Sequence, residues 1–148
     1  MSTIALITGT THGIGRVTAR ELALAGRTVV MLCRDVVAAD AVKAEILVRA
    51  PDADIQVVKC DLSSLASVHE AAQTVRRDFG EIGVLINNAG IAPSRRQFSP
   101  DGFELCFATN HLGPFLLTHL LLDRMARPGR IIHVSSRVHY RGRLDLAS

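Results

Sequence analysis

A parallel, doubly wound α/β sheet is the fold class predicted by three features of the 148-residue sequence. Short apolar runs recur between stretches of helical periodicity. The runs are continuous rather than alternating, as in strands covered on both faces. The first run passes through a glycine-rich turn straight into an amphipathic helix, the order that opens such sheets.

Taken in order, Ile4 to Ile7 is the first strand, followed by the turn Thr8-Gly9-Thr10-Thr11-His12-Gly13-Ile14-Gly15 and a helix from Arg16 to Ala25 that Gly26 stops. Thr28 to Cys33 is the second strand. Val36 to Arg49 suits a helix ended by Pro51, with Asp35 as its N-cap. Ile55 to Cys60 is the third strand, and Asp61-Leu62-Ser63-Ser64 turns into a helix reaching about Phe79, capped by Ser63 or Ser64 and closed by Gly80. Val84 to Asn87 is the fourth strand. A loop through Arg96 leads to a long helix, from Pro100 or Asp101 to Met125, interrupted at Gly113-Pro114. Pro128-Gly129 is a breaker, Arg130 to Ser135 the fifth strand, and Ser136 to Ser148 a basic loop. Right-handed crossovers then give strand order 3-2-1-4-5, a Rossmann-type sheet truncated after the fifth strand. Residues 1–148 read as one domain, C-terminally incomplete.

Bulk properties narrow the function classes. With 48% apolar residues and no low-complexity tract, the chain is globular. No apolar run approaches the roughly 20 residues of a membrane span, and the sequence enters a strand almost at once, so neither a span nor a signal peptide is expected and the placement is cytoplasmic. Cys33, Cys60 and Cys106 form no C-x-x-C pair and read as reduced thiols. The net charge of +3 comes from scattered arginines without interleaved aromatics, which favours a small anionic ligand over nucleic acid. His111, His119, His133 and His139 lack metal-ligand spacing, so no metal is expected.

Polar groups gather where the strands end. The glycine turn would let backbone N–H groups approach a pyrophosphate at the positive end of a helix, and a side chain at Gly9 or Gly13 would fill that space. Arg34 follows the second strand, where a ribose would lie; it would pair with a 2′-phosphate, whereas Asp35 facing the ribose would favour NAD. Arg34 carries more weight because Asp35 has an alternative task as helix cap. Asp61 could accept from an adenine amino group, or cap the helix after it. Asn87-Asn88-Ala89-Gly90 puts amides at a buried strand end and leaves room for a flat ligand. Pro114 leaves the Asn110 carbonyl without its helical donor, free for a water or a side chain. A hydroxyl of Ser135-Ser136 could hold a carbonyl oxygen.

These motifs together resemble the short-chain dehydrogenase/reductase family, whose fingerprint Thr-Gly-x-x-x-Gly-Ile-Gly stands at Thr8–Gly15. The likeness is closest to the subgroup of retinol dehydrogenases and WW-domain oxidoreductases. Cys33-Arg34-Asp35, Asp101-Gly102-Phe103-Glu104, Thr109 to Thr118 and Arg130-Ile131-Ile132 carry it. The resemblance implies an oxidoreductase acting on alcohol or carbonyl groups, with NADP(H) preferred and NAD(H) the alternative. It implies cofactor contacts at Gly9, Thr10, Thr11, His12, Gly13, Ile14, Gly15, Arg34, Asp61, Leu62, Asn88, Ala89 and Gly90, and catalytic roles for Ser136 and Asn110. It further implies a lipophilic substrate, and the exposed face of the 101–125 helix offers a route to a homo-oligomer. The family's acid/base pair, Tyr-x-x-x-Lys, is not matched: four residues after Tyr140 stands Leu144, and the only lysines are Lys43 and Lys59. Two expectations follow, an N-terminal portion of an oxidoreductase or an inactive nucleotide- or partner-binding remnant. Either would expose the fifth strand's edge and an apolar stripe including Phe115, Leu116 and Leu120.

Overall fold

The structure is a computed structural model that describes residues 3–142. Its five parallel strands are β1 (Ile4–Thr8), β2 (Thr28–Cys33), β3 (Ile55–Lys59), β4 (Ile82–Asn87) and β5 (Met125–His133), in the order β3-β2-β1-β4-β5. The order is the one predicted, and the sheet is Rossmann-like. Helices α1 (Gly13–Leu24), α2 (Val36–Arg49), α3 (Leu65–Asp78) and α4 (Leu105–Arg124) connect them, and a 3-10 turn, Arg137–Arg141, follows β5.

The continuous apolar runs explain the layering. Every β1 residue is buried, and its side chains alternate between two cores. Ile7, with Val29 and Met31, packs under α1 and α2 through Ala19, Ala23, Val42 and Ile46. Leu6, with Val30 and Leu85, packs under α3 and α4 through Val68, Val75, Leu117 and Leu121. The caps follow the sequence: Asp35 Oδ1 accepts from Ala38 N at 3.0 Å, and Ser64, rather than Ser63, caps α3.

Three departures from the sequence reading have local causes. Helix α4 begins at Leu105, not near Pro100, because residues 98–104 fold back on themselves: Phe98 and Glu104 bridge, and Gly102 turns with φ +82°. Glu104 then caps the helix, and accepting from the Cys106 and Phe107 N–H groups holds its carboxyl below the usual carboxylate range. The break placed at Gly113-Pro114 is instead a π turn, Ala108–Leu112, one step upstream, as the helix adjusts to proline's missing donor. Strand β5 starts at Met125, paired with Ile82, and carries an irregularity through Pro128 and Gly129 before Arg130 pairs with Val84. It ends at His133, so Ser135 and Ser136 lie beyond it.

Helix α4 also corrects the expectation of no membrane-length segment. Leu105–Arg124 is a 20-residue helix of mean hydropathy 1.3, long and apolar enough to cross a membrane by length and composition alone. The predicted exposed stripe is also redrawn: Leu116 and Leu120 pack against the core, while Phe115 stands out with Phe107 and Leu122.

Candidate cofactor site

Thr8, at the carboxyl end of β1, ties two predicted motifs together. The residue is 1% exposed, and its hydroxyl accepts from the backbone N–H groups of Asn88 and Ala89, both at 3.0 Å. The Asn88 side-chain amide donates back to the carbonyls of Thr8 at 2.9 Å and Gly9 at 3.1 Å. The Asn-Asn-Ala-Gly loop is therefore bolted to the glycine turn. Thr8 belongs to the fingerprint but was not among the predicted site residues; its buried position at a strand end was the available signal. Thr8→Val would leave two partly buried N–H groups without an acceptor, and a loss of about 1–2 kcal/mol is expected in urea unfolding. A loss under about 0.5 kcal/mol would mean the clamp is immaterial.

The turn is shaped for close approach. Gly9 has φ +71°, and a Cβ there would meet Ala89 Cα at 2.8 Å. A Cβ on Gly15 would run into the Gly9 carbonyl and the Asn88 amide. Gly13 differs: it has φ +57°, and a Cβ on it would meet nothing within 4 Å. His12 occupies the N-cap of α1 without capping it, and its Nδ1 instead meets Thr11 Oγ1 at 3.0 Å. The first turn of α1 holds no acidic residue, so its positive end stays uncompensated.

A cleft of about 300 Å³ opens at these strand ends. Of the predicted cofactor residues, Gly9, Thr11, His12, Gly13, Ile14, Gly15, Arg34, Asp61, Leu62, Asn88, Ala89 and Gly90 line it. Thr10 does not; it is fully buried, its hydroxyl 2.9 Å from Cys33 Sγ. Asp61 Oδ1 accepts from the Ser63 N–H and hydroxyl, which leaves its second oxygen for a ligand. Asp35, the alternative reader of the ribose, also lines the cleft, as do Leu32, Cys33, Cys60, Ile91, Thr109 and Val134, which were not predicted. Most of these are apolar, and such residues carry no chemical signature that would single them out. Burial keeps both thiols protonated, pushing Cys60 up to about 12. Among the described residues, no group of acidic, histidine and cysteine side chains could hold a metal ion.

Asn110 and Ser136 lie outside the lining. The Asn110 side chain grips the Ile91 peptide, accepting from its N–H at 2.8 Å and donating to its carbonyl at 2.9 Å. It thereby fixes the cleft wall just after Gly90. Ser136 Oγ accepts from Val138 N at 3.2 Å, two residues past the wall residue Val134. A larger groove, about 720 Å³, lies over β1, β4 and β5 beside α1, but on the sheet's face rather than at its carboxyl edge.

A doubly wound parallel sheet with a glycine-turned helix N-terminus at its carboxyl edge defines a dinucleotide-binding Rossmann fold. The chain belongs to the short-chain dehydrogenase family, whose profile matches residues 3–145. It is 40% identical over 143 residues to human retinol dehydrogenase 12, covering 95% of this chain and 45% of that protein. With human retinol dehydrogenase 13 it shares 39% over 142 residues, covering 95% and 43%. Among solved structures, an uncharacterised protein from Mycobacterium paratuberculosis superposes with a TM-score of 0.82 at 40% identity, over 99% of this chain and 52% of that one. A metagenomic short-chain oxidoreductase in complex with NADP matches at 0.78 and 32%, over 90% and 62%. The chain spans about half the length of the relatives it matches or less, so its first residues say nothing about a leader or anchor. With the membrane-length helix α4, this removes the basis for a cytoplasmic placement.

Proposed function

We propose that residues 1–148 form the nucleotide-binding unit of an NADP(H)-dependent short-chain oxidoreductase, one domain that further chain completes. The carrying observation is the division of labour at the end of β2. Arg34 and Asp35 both line the cleft, but Asp35 Oδ1 is engaged by Ala38 N at the α2 cap, while the exposed Arg34 is in no ion pair among the described residues. A 2′-phosphate would find an uncommitted guanidinium there, beside a carboxylate that the helix cap partly engages. The open space at Gly13 and the bare N-terminus of α1 suit a pyrophosphate.

When bound, the nicotinamide would exchange a hydride with the substrate carbon. Around it, Leu62 and Asp61 would hold the adenine end, and Asn88, Ala89 and Gly90 the wall. Asn110 would act by fixing that wall, and Ser136 by polarising a carbonyl oxygen. The substrate class suggested by the retinol dehydrogenase relatives is a lipophilic alcohol or carbonyl, and α4 is the element through which a homo-oligomer would form.

The second reading, a nucleotide-binding unit without turnover, is favoured by the lysine-free stretch after Ser136; Leu144, in the position of the family's lysine, lies outside the described residues. In the family's Tyr-x-x-x-Lys pair the lysine is the cation that brings the tyrosine's proton donation toward neutrality. Titration of the chain with NADPH and NADH, read by nicotinamide fluorescence, tests the binding common to both readings. NADPH is expected to bind more tightly than NADH. Binding of neither by folded protein overturns the assignment, and turnover of an alcohol or ketone by the chain alone would overturn the second reading.

A further inference from the structure

Among the described residues, three enclosed side-chain polar atoms have no hydrogen-bond partner: Asn87 Oδ1, Arg124 Nε and Thr109 Oγ1. The first two belong to side chains bonded through another atom, Asn87 to the Thr118 hydroxyl and Arg124 to the Phe79 carbonyl. Thr109 has no second polar atom, so its side chain makes no hydrogen bond. It is also the one of the three that lines the nucleotide cleft. A buried hydroxyl left in this state is costly, and a threonine inside a helix ordinarily bonds the carbonyl one turn back. The oxygen is already enclosed by protein, so what it lacks is a partner, not cover. A ligand in the cleft can be that partner.

The fold decides which part of that ligand lies within reach. Thr109 is in the π turn Ala108–Leu112, and Gly113 stands four residues on, near the same side of the helix. Gly113 backs so closely onto the loop after β3 that a Cβ there would meet the Leu62 carbonyl oxygen at 2.2 Å. Thr109 thus faces the end of the cleft that Asp61 and Leu62 form. A carboxylate can only accept, so Asp61 can serve an adenine amino group but not the ring nitrogen beside it. A threonine hydroxyl can donate to that nitrogen. No existing bond holds the hydroxyl back. One χ1 step, between rotamers that threonine shares in helices, exchanges it with the methyl and turns it into the cleft.

We propose that the Thr109 hydroxyl donates to an adenine ring nitrogen and, with Asp61, selects adenine over bases that carry a carbonyl in place of its amino group. The proposal rests on the NADP(H) reading above. Titration of the 148-residue chain with NADPH and with its hypoxanthine analogue, read by nicotinamide fluorescence, tests it. Hypoxanthine turns a carbonyl toward Asp61 and carries hydrogen on the adjoining nitrogen, so it offers Thr109 no acceptor there. The parent is expected to bind NADPH at least about tenfold more tightly than the analogue. Thr109→Val keeps the shape and removes the hydroxyl; it is expected to weaken NADPH by about tenfold and the analogue by no more than about twofold. Thr109→Ser is expected to stay within about threefold of the parent. The thermal midpoint of Thr109→Val should equal or exceed the parent's, because valine removes an unpaired buried hydroxyl. A lowered midpoint would mean that the hydroxyl already serves the protein, and it overturns the proposal. So does unchanged NADPH affinity in Thr109→Val, or an equal loss for both nucleotides, in each case while the parent still binds NADPH. A parent that binds no nucleotide overturns the underlying reading and this proposal with it.

Discussion

Gly15→Ala is expected to abolish nucleotide binding and lower stability by about 3 kcal/mol, the upper end for overpacking a rigid site. The added methyl would collide with the Gly9 carbonyl and the Asn88 side-chain amide, groups that are hydrogen-bonded to each other. Neither can retreat cheaply. Gly9 is held at φ +71° with Ala89 directly behind it, and Asn88 is tethered at its backbone to Thr8. Relief would require α1 to lift away from the turn, which would carry its N-terminus out of the cleft. Gly13→Ala is the informative contrast. Its methyl meets no protein atom, so the cost is the left-handed backbone alone, about 1 kcal/mol. It nevertheless intrudes on the open cleft, and nucleotide affinity should fall with little loss of fold. Urea unfolding paired with NADPH titration separates the two cases. If Gly15→Ala unfolds like the parent, the close packing of turn against helix is not what holds the site together.

Residues whose roles are local were legible in the sequence. Asp35 could be read as a cap because a carboxylate before a helical run has a short-range task, and the strand order followed from the spacing of apolar runs. Where roles depend on contacts far along the chain, sequence reading fell short. Thr8 joins residue 8 to residues 88 and 89, and nothing near it in sequence announces that. Asn110 was singled out through Pro114 and its own carbonyl, yet its side chain holds Ile91, 19 residues away. The start of α4 was misplaced because Pro100-Asp101 looks like a helix N-terminus. Asp101 does serve a helix start, but that of α3, where it accepts from Leu65 N at 2.9 Å. Local chemistry was read correctly there, and the partner was not.

Arg34→Glu is expected to weaken NADPH binding by about 30- to 100-fold while changing NADH binding by no more than about threefold, so that the preference inverts. The wild-type contact would be a charge-assisted, bidentate pair at an exposed position, which solvent and salt screen. That screening keeps the expected loss below what a buried pair would show, and it predicts that the NADPH advantage of the parent shrinks as salt rises. The substituted carboxylate would repel a 2′-phosphate and accept from a free 2′-hydroxyl. Asp35→Asn is the companion variant. Asparagine caps helices about as well as aspartate, so stability should hold, and if the Asp35 carboxylate serves only α2, neither nucleotide should notice the change. If Asp35→Asn instead weakens NADH selectively while Arg34→Glu leaves NADPH alone, the ribose is read by the residue that the structure shows capping the helix, and the NADP preference fails with it.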